Sequence, residues 1–516
     1  MFNRRLLPFH RVDLFYGVNT KDTAPNFLDG EWHEDSINIV SSPKGAVGSR
    51  PGFSAITAGS IGATNDWCGF YELQRHVSGA TTKFYVGGAS NGWLYNYTGG
   101  QFTVIGKGFD TTDDDDERFN FFTLNNTLMV MPGAGSWPCV WSGSGSVLSH
   151  ASAVTADWGI EWQRYGWLHS TVDPRLLYYS AVQGAADSAY TSFLNFDDDG
   201  EPLTGCGKQG DDLILGKEHA LHRVQYRGTE PLFKKYRLPA KIGPVNFETM
   251  KSLPDGSLIY LGSDANFYRL IGDTPVPVGD NIHRYMKAGV YSRLRYAVAG
   301  MLYNKTQYWC SFTKTSGATQ NDRTVVMDWS RPYQDAWGIT QYPWFIFDIA
   351  ANCFAEVTVS GQALLYHGNY AGKIFKDDTG TSDNSAAFRT HYRSKVFDYG
   401  DLTIEKKHTH IEMSYENQGD YNLDISFVAD ENANTQKVIT ENLQGGVSGA
   451  PLFDVAIFDT DSFASVSDSN KTRHIDLQGK TIYATFGTDG VDEEWNMFWY
   501  TLHARGLGRA ARKRES

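Results

Sequence analysis

The sequence predicts an all-β protein: a β-propeller of about six to eight blades, followed by an antiparallel β-sandwich. Three observations lead there. The first is a hairpin phrase that keeps returning. It reads Tyr85-Val-Gly87, an Asn91-Gly92 turn, then Trp93-Leu-Tyr95. It returns as Tyr260-Leu-Gly262, a turn through Asp264 and Asn266, then Phe267-Tyr268. It returns again as Tyr366-His-Gly368, a turn at Gly372, then Ile374-Phe375. In each copy an apolar strand meets a Gly/Asn/Asp turn and an aromatic strand runs back. Looser relatives surround Asn125-Asn126 and Asn304-Lys305, and another joins Leu213–Gly216 to Leu221. The spacing is roughly 40–50 residues, the period of propeller blades. The second observation is composition: 14% aromatic residues, 52 Gly and 17 Pro suit β-layers joined by tight turns. The third is a change of pattern after a polar junction at Thr379 to Ser385, where long strands begin to alternate.

The elements follow in order. Residues 1–60 lack the hairpin phrase and read as an N-terminal assembly segment. Residues 61–380 carry the blades. Residues 385–505 read as the sandwich. Phe388, Thr390 and Tyr392 share one face there, as do Thr409, Ile411 and Met413 against His408, His410 and Glu412. Such period-two alternation means one packed and one wet face. The Asn/Ser/Gly-rich interval from Asp430 to Lys471 reads as a long loop. Residues 506–516 form a basic C-terminal tail.

Composition also excludes function classes. A formal charge of −13 argues against a general nucleic-acid clamp, which needs a basic surface. Arg4-Arg5 is followed by too short and interrupted an apolar run for a signal peptide, and no run approaches a membrane span. Synthesis in the cytoplasm is expected. Cys68, Cys139, Cys206, Cys310 and Cys353 stand singly, with no Cys-x-x-Cys pair, so they read as small buried residues.

No catalytic signature rises above background: nucleophile elbows, Walker loops and dinucleotide loops are absent. The chain is expected not to be an enzyme and to need no cofactor or metal. Asn195-x-Asp197-x-Asp199-Gly200 resembles half a calcium loop, but Cys206 stands where the closing Glu belongs. A surface acidic turn is the expected reading. His408, His410 and Glu412 read as an ordinary exposed strand face. Two acidic runs remain, Asp113, Asp114, Asp115, Asp116, Glu117 and Asp197, Asp198, Asp199. One basic cluster remains, Arg505, Arg509, Arg512, Lys513 and Arg514.

The phrases "GVNTKD", "DSINI" and "SRPGF" in succession resemble the opening of a family of phage virion proteins. These are the tail nozzle, or tail hub, proteins of short-tailed phages. Ser257 to Ile282, the alternating sheet from Phe388 to Asp430 and the ending from Trp499-Tyr500 to Arg514 are also similar. The resemblance implies a structural virion protein of the tail. It implies a homo-oligomeric ring, usually a hexamer, below the portal and its adaptor. Tail fibre or tailspike protein would be a further partner. Genomic double-stranded DNA would pass through the ring without specific binding. The acidic runs then become channel or gate candidates, and the basic cluster an assembly candidate. The alternative is a carbohydrate-binding or glycan-cleaving propeller of a phage tail, with Trp141, Trp337 or Trp344 stacking on sugars.

Overall fold

The computed structural model describes residues 9–21, 28–42, 45–56, 60–62, 65–107, 118–133, 136–150, 154–444 and 469–508. The chain is all-β, built of many small antiparallel sheets in two compact units. One unit is Ser54–Asp328 with Asp348–Asp377. The other is Met1–Phe53, Trp329–Phe347 and Asp378–Ser516.

The first unit is a succession of up-and-down sheets. Trp67–Val77, Ala80–Ala89, Trp93–Thr98 and Gln101–Lys107 make the first, in chain order. Four-stranded sheets of the same kind span Asn120–Ser149, Ala156–Asn195, Leu203–Arg237 and Lys251–Pro277. Val298–Leu302, Gln307–Phe312 and Arg323–Asp328 follow as successive antiparallel neighbours. The last sheet takes Cys353–Val359, Gln362–Gly368 and Ile374–Lys376, and its outer strand is Ser54–Ala55, from before the first sheet. The leading strands pack side by side in chain order, and Cys353–Val359 meets Trp67–Val77.

Local chemistry explains the hairpins. In each copy of the phrase a turn side chain accepts a backbone N–H two residues on, an Asx-turn. Asn91 accepts from Trp93 at 3.1 Å, Asp264 from Asn266 at 3.1 Å and Asn369 from Ala371 at 3.0 Å. Asn125 and Asn126 both have positive φ, 47° and 68°, the geometry of a two-residue type I′ turn. Gly368 is demanded by close approach: a Cβ there would lie 2.5 Å from Trp67 Cβ and 2.7 Å from Cys353 Sγ. The core lies between adjacent sheets, as where Trp158, Trp162 and Trp167 meet Leu213, Leu215 and Phe233. All five cysteines are buried and free, as expected.

The second unit has two main sheets. One runs Ile39–Ser41, Val47–Ser49, Asn496–Gly508, Glu405–Tyr415, Ser469–Gly479, with His10–Val12 also pairing Asn496–Gly508. The other runs Tyr392–Arg393, Ile482–Gly487, Asn422–Ala429, Gln436–Asn442. Their buried faces meet: Tyr392 and Tyr500 hydroxyls lie 3.3 Å apart, and Phe486 packs on Tyr500 at 5.4 Å. Residues 10–12, 39–41 and 47–49, read from sequence as part of a separate segment, are strands of the first of these sheets. Trp329–Phe347 also groups here: Asn38 N–H donates to the Ile346 carbonyl at 2.8 Å, and Arg331 donates to the carbonyls of Ser41 and Ser42.

Two expectations need correction. The interval from Asp430 is not all loop, because Gln436–Asn442 pairs with Asn422–Ala429. That strand is largely exposed and polar, so it lacks the apolar alternation that marks a strand in sequence. And His408 does not share a face with His410. A bulge between them slips the register by one, which turns a side chain to the opposite face. His408 is fully buried, on the side of Ile411 and Met413.

Candidate functional site

The acidic run Asp197 to Asp199 lies between the strands Ser192–Asn195 and Leu203–Gln209. It surrounds Lys217, whose side chain is completely buried at the end of Asp212–Lys217. Lys217 Nζ donates to Asp198 Oδ1 at 3.0 Å, to Asp199 Oδ1 and to the Phe196 carbonyl. Arg237 adds a contact to Asp198 at 3.1 Å, and His222 Nε2 lies 3.0 Å from Asp198 Oδ2. Burial pushes the Asp198 carboxyl up, but the hydrogen bonds from His222 and Lys217 outweigh it and hold the group well below the usual range. Asp199 is lowered in the same way. A buried ammonium requires such partners. The run is therefore not three free negative charges: Asp198 and Asp199 neutralise an internal cation, and Asp197 alone of the three stays exposed without an ion pair to it.

The other run, Asp113, Asp114, Asp115, Asp116 and Glu117, lies outside the described residues, as do Arg509, Arg512, Lys513 and Arg514. Arg505 is described. It is an exposed residue of the strand Asn496–Gly508, opposite Lys407 in register. The first three residues assigned to the tail, 506–508, continue that strand.

A cavity of about 340 Å³ sits among the leading strands of the first unit. Arg118, Lys208, Lys251, Tyr303 and Glu356 contribute its polar lining. Glu356 accepts from the Met301 N–H at 3.2 Å and the Tyr303 hydroxyl at 3.4 Å. Burial raises its pKa, partly offset by Lys251. The space suits a small polar molecule or a few waters. It is far too small to pass a duplex.

Of the aromatic candidates, Trp141 is 3% exposed and Trp344 is 0% exposed. Both are core side chains that cannot face a sugar. Trp337 is 64% exposed, on the hairpin Tyr333–Gln341.

The structure gathers one further cluster. His410 and Glu412 of Glu405–Tyr415 meet His503 of Asn496–Gly508. The two imidazoles stack with centroids 4.1 Å apart and planes at 10°. Glu412 lies 3.8 Å from His410 Nε2 and 3.6 Å from His503 Nε2. His503 is distant in sequence and follows no spacing rule, so only the strand register brings it in.

No protein-family model matches the chain, and no curated protein matches it. Among solved structures, it is similar to the computationally designed Ika8 protein at 8% identity. That likeness covers 63% of this chain and 99% of the design, with a TM-score of 0.33. At that level it carries no argument. No helix among the described residues is long and apolar enough to cross a membrane.

Proposed function

We propose that the chain is a structural tail protein of a short-tailed phage, a nozzle or hub subunit, and not an enzyme. In this reading the first unit is a seven-bladed β-propeller. Its last blade is closed by Ser54–Ala55, and the leading strands surround the axial cavity. The second unit is a β-sandwich that takes in the N-terminal strands. The observation that carries the reading is an order of elements. Strands around the "DSINI" and "SRPGF" phrases enter the sandwich, the propeller follows, and the chain returns to the same sheet. That order agrees with the sequence resemblance to tail nozzles. Since the axial cavity cannot pass DNA, the duplex runs through a ring of subunits, usually six in that family, which opens at ejection. The ring docks on a portal-adaptor complex and carries tail fibre or tailspike protein. The protein is made in the host cytoplasm and ends in the virion tail.

The test is assembly. Sedimentation velocity and negative-stain images of the purified chain, alone and with a portal-adaptor complex from the same genome, should yield a closed ring that caps the adaptor. A monomer at every concentration that ignores the adaptor would sink the reading. Specific signal on a glycan array, lost in Trp337→Ala, would favour the carbohydrate-binding alternative.

A further inference from the structure

We propose that His410, Glu412 and His503 form a binding site for a divalent transition cation, Zn²⁺ foremost. The residue types are right, since imidazole and carboxylate together suit zinc and its first-row neighbours. Their ligand atoms all lie within 4.8 Å of one another. Bond lengths of about 2.0–2.2 Å in tetrahedral geometry place neighbouring donor atoms roughly 3.4 Å apart. Glu412 Oε1 stands 3.8 Å from His410 Nε2 and Oε2 3.6 Å from His503 Nε2. With one ligand atom from each residue no separation exceeds 4.8 Å, so closure needs side-chain rotation and no movement of the strands.

Proton accounting makes the cluster more than a coincidence of residue types. The Thr409 hydroxyl has one proton and donates it to the His503 carbonyl at 3.2 Å. Thr409 Oγ1 is also 2.9 Å from His410 Nδ1, so there it accepts, and His410 carries its proton on Nδ1. The lone pair of neutral His410 is then on Nε2, the atom that faces Glu412. His503 Nε2, an atom sealed from solvent, has no hydrogen-bond partner. An acceptor nitrogen facing a carboxylate is unfavourable unless a proton or a metal cation comes between them. Thr409 is the kind of outer partner that fixes a ligand tautomer.

The bulge after His408 aims His410 at this face, and His474 stands opposite it on the third strand as a third imidazole in the same row. The rings are stacked, so binding turns them about χ2 until both Nε2 atoms converge. The consequence is a clip joining Asn496–Gly508 to Glu405–Tyr415.

The experiment uses the full, untagged chain and Co²⁺ as the spectroscopic probe, with Zn²⁺ as competitor. One equivalent should bind with tetrahedral visible absorption, and Zn²⁺ should displace it. His410→Asn and His503→Asn should abolish the spectrum, and Glu412→Gln should weaken binding by about tenfold or more. His219→Asn, at an exposed histidine in the other unit, should leave it unchanged. Circular dichroism in chelator establishes that each variant is folded. If a variant fails to fold, anomalous diffraction from zinc-soaked wild-type crystals decides: a peak between His410 and His503 supports the site. Absence of stoichiometric binding, undiminished binding in the histidine variants, or a peak elsewhere overturns it.

Discussion

Arg50 and Asp383 form a two-pronged ion pair across 333 residues of sequence, with Nη1–Oδ1 at 2.8 Å and Nη2–Oδ2 at 2.6 Å. The Arg50 side chain is fully buried. Its Nε donates to Asn38 Oδ1 at 2.8 Å, and its guanidinium lies 4.1 Å over the Phe388 ring. Planar fork, stacking and permanent charge are properties of Arg that Lys does not share. This gives a physical reason for Arg within the "SRPGF" phrase. Asp383→Ala should cost about 3 kcal/mol, because it strands a buried cation. Arg50→Lys should also destabilise. Denaturant unfolding followed by tryptophan fluorescence checks both; a loss within error for Asp383→Ala would refute the role.

Lys217→Met should lower stability at neutral pH by about 2 kcal/mol, less than for a fully buried pair because Asp198 and Asp199 keep some solvent. Their carboxyls titrate below the usual range in the folded state. They therefore contribute stability above the unfolded-state pKa of about 4 that disappears as pH falls through their depressed values. The variant's acid-unfolding curve should be shallower than the wild type's. Parallel curves would count against the clamp.

His391 is shifted in the same direction for the opposite reason, because its charged form is disfavoured. Burial, with Arg389 nearby, pushes its imidazole down to about 4 from 6.5. The unfolded chain takes up this proton first, so stability should fall as pH drops from about 6.5 to about 4, by on the order of 2 kcal/mol. His391→Gln should flatten urea midpoints across that window. A variant that retains the full wild-type slope would show that other groups are responsible.

How much of this was readable in advance differs by the range of the interaction. The hairpins were legible because a turn is local: Asn91, Asp264 and Asn369 each serve a backbone group two residues away. The buried cysteines were legible from their isolation. The bulge after His408 was not, because one extra residue leaves no trace in composition yet moves every later side chain to the other face. Nor was the Lys217 clamp, since an acidic run looks the same whether it faces water or a cation 18 residues on. His503 joined His410 only through strand register.

Ile56→Pro tests the closing strand. Ile56 N–H donates to the Ile374 carbonyl at 3.1 Å, just beyond the Ala55–Phe375 pair. Proline removes that donor, at about 3 kcal/mol by analogy with its effect in regular structure. Hydrogen exchange should accelerate first in Ile374–Lys376 and Gln362–Gly368. Unchanged protection there would mean that the edge needs no partner.

The pairing of His10–Val12 with Tyr500 to Leu502 has a consequence for biosynthesis. A ribosome releases residues 10–12 long before their partner strand exists. The intervening Ser54–Asp377 stretch contains every strand of its meanders, so that unit can finish while the chain is still growing. His10–Val12 must wait for its partner until the last part of translation, and the hairpin Ile39–Ser41 with Val47–Ser49 can form early but must wait as long for its neighbour Asn496–Gly508. A nascent chain stalled before residue 496 should thus carry a folded middle and an unfinished second unit. Any assembly that depends on the second unit is then postponed until synthesis of the described chain is nearly complete.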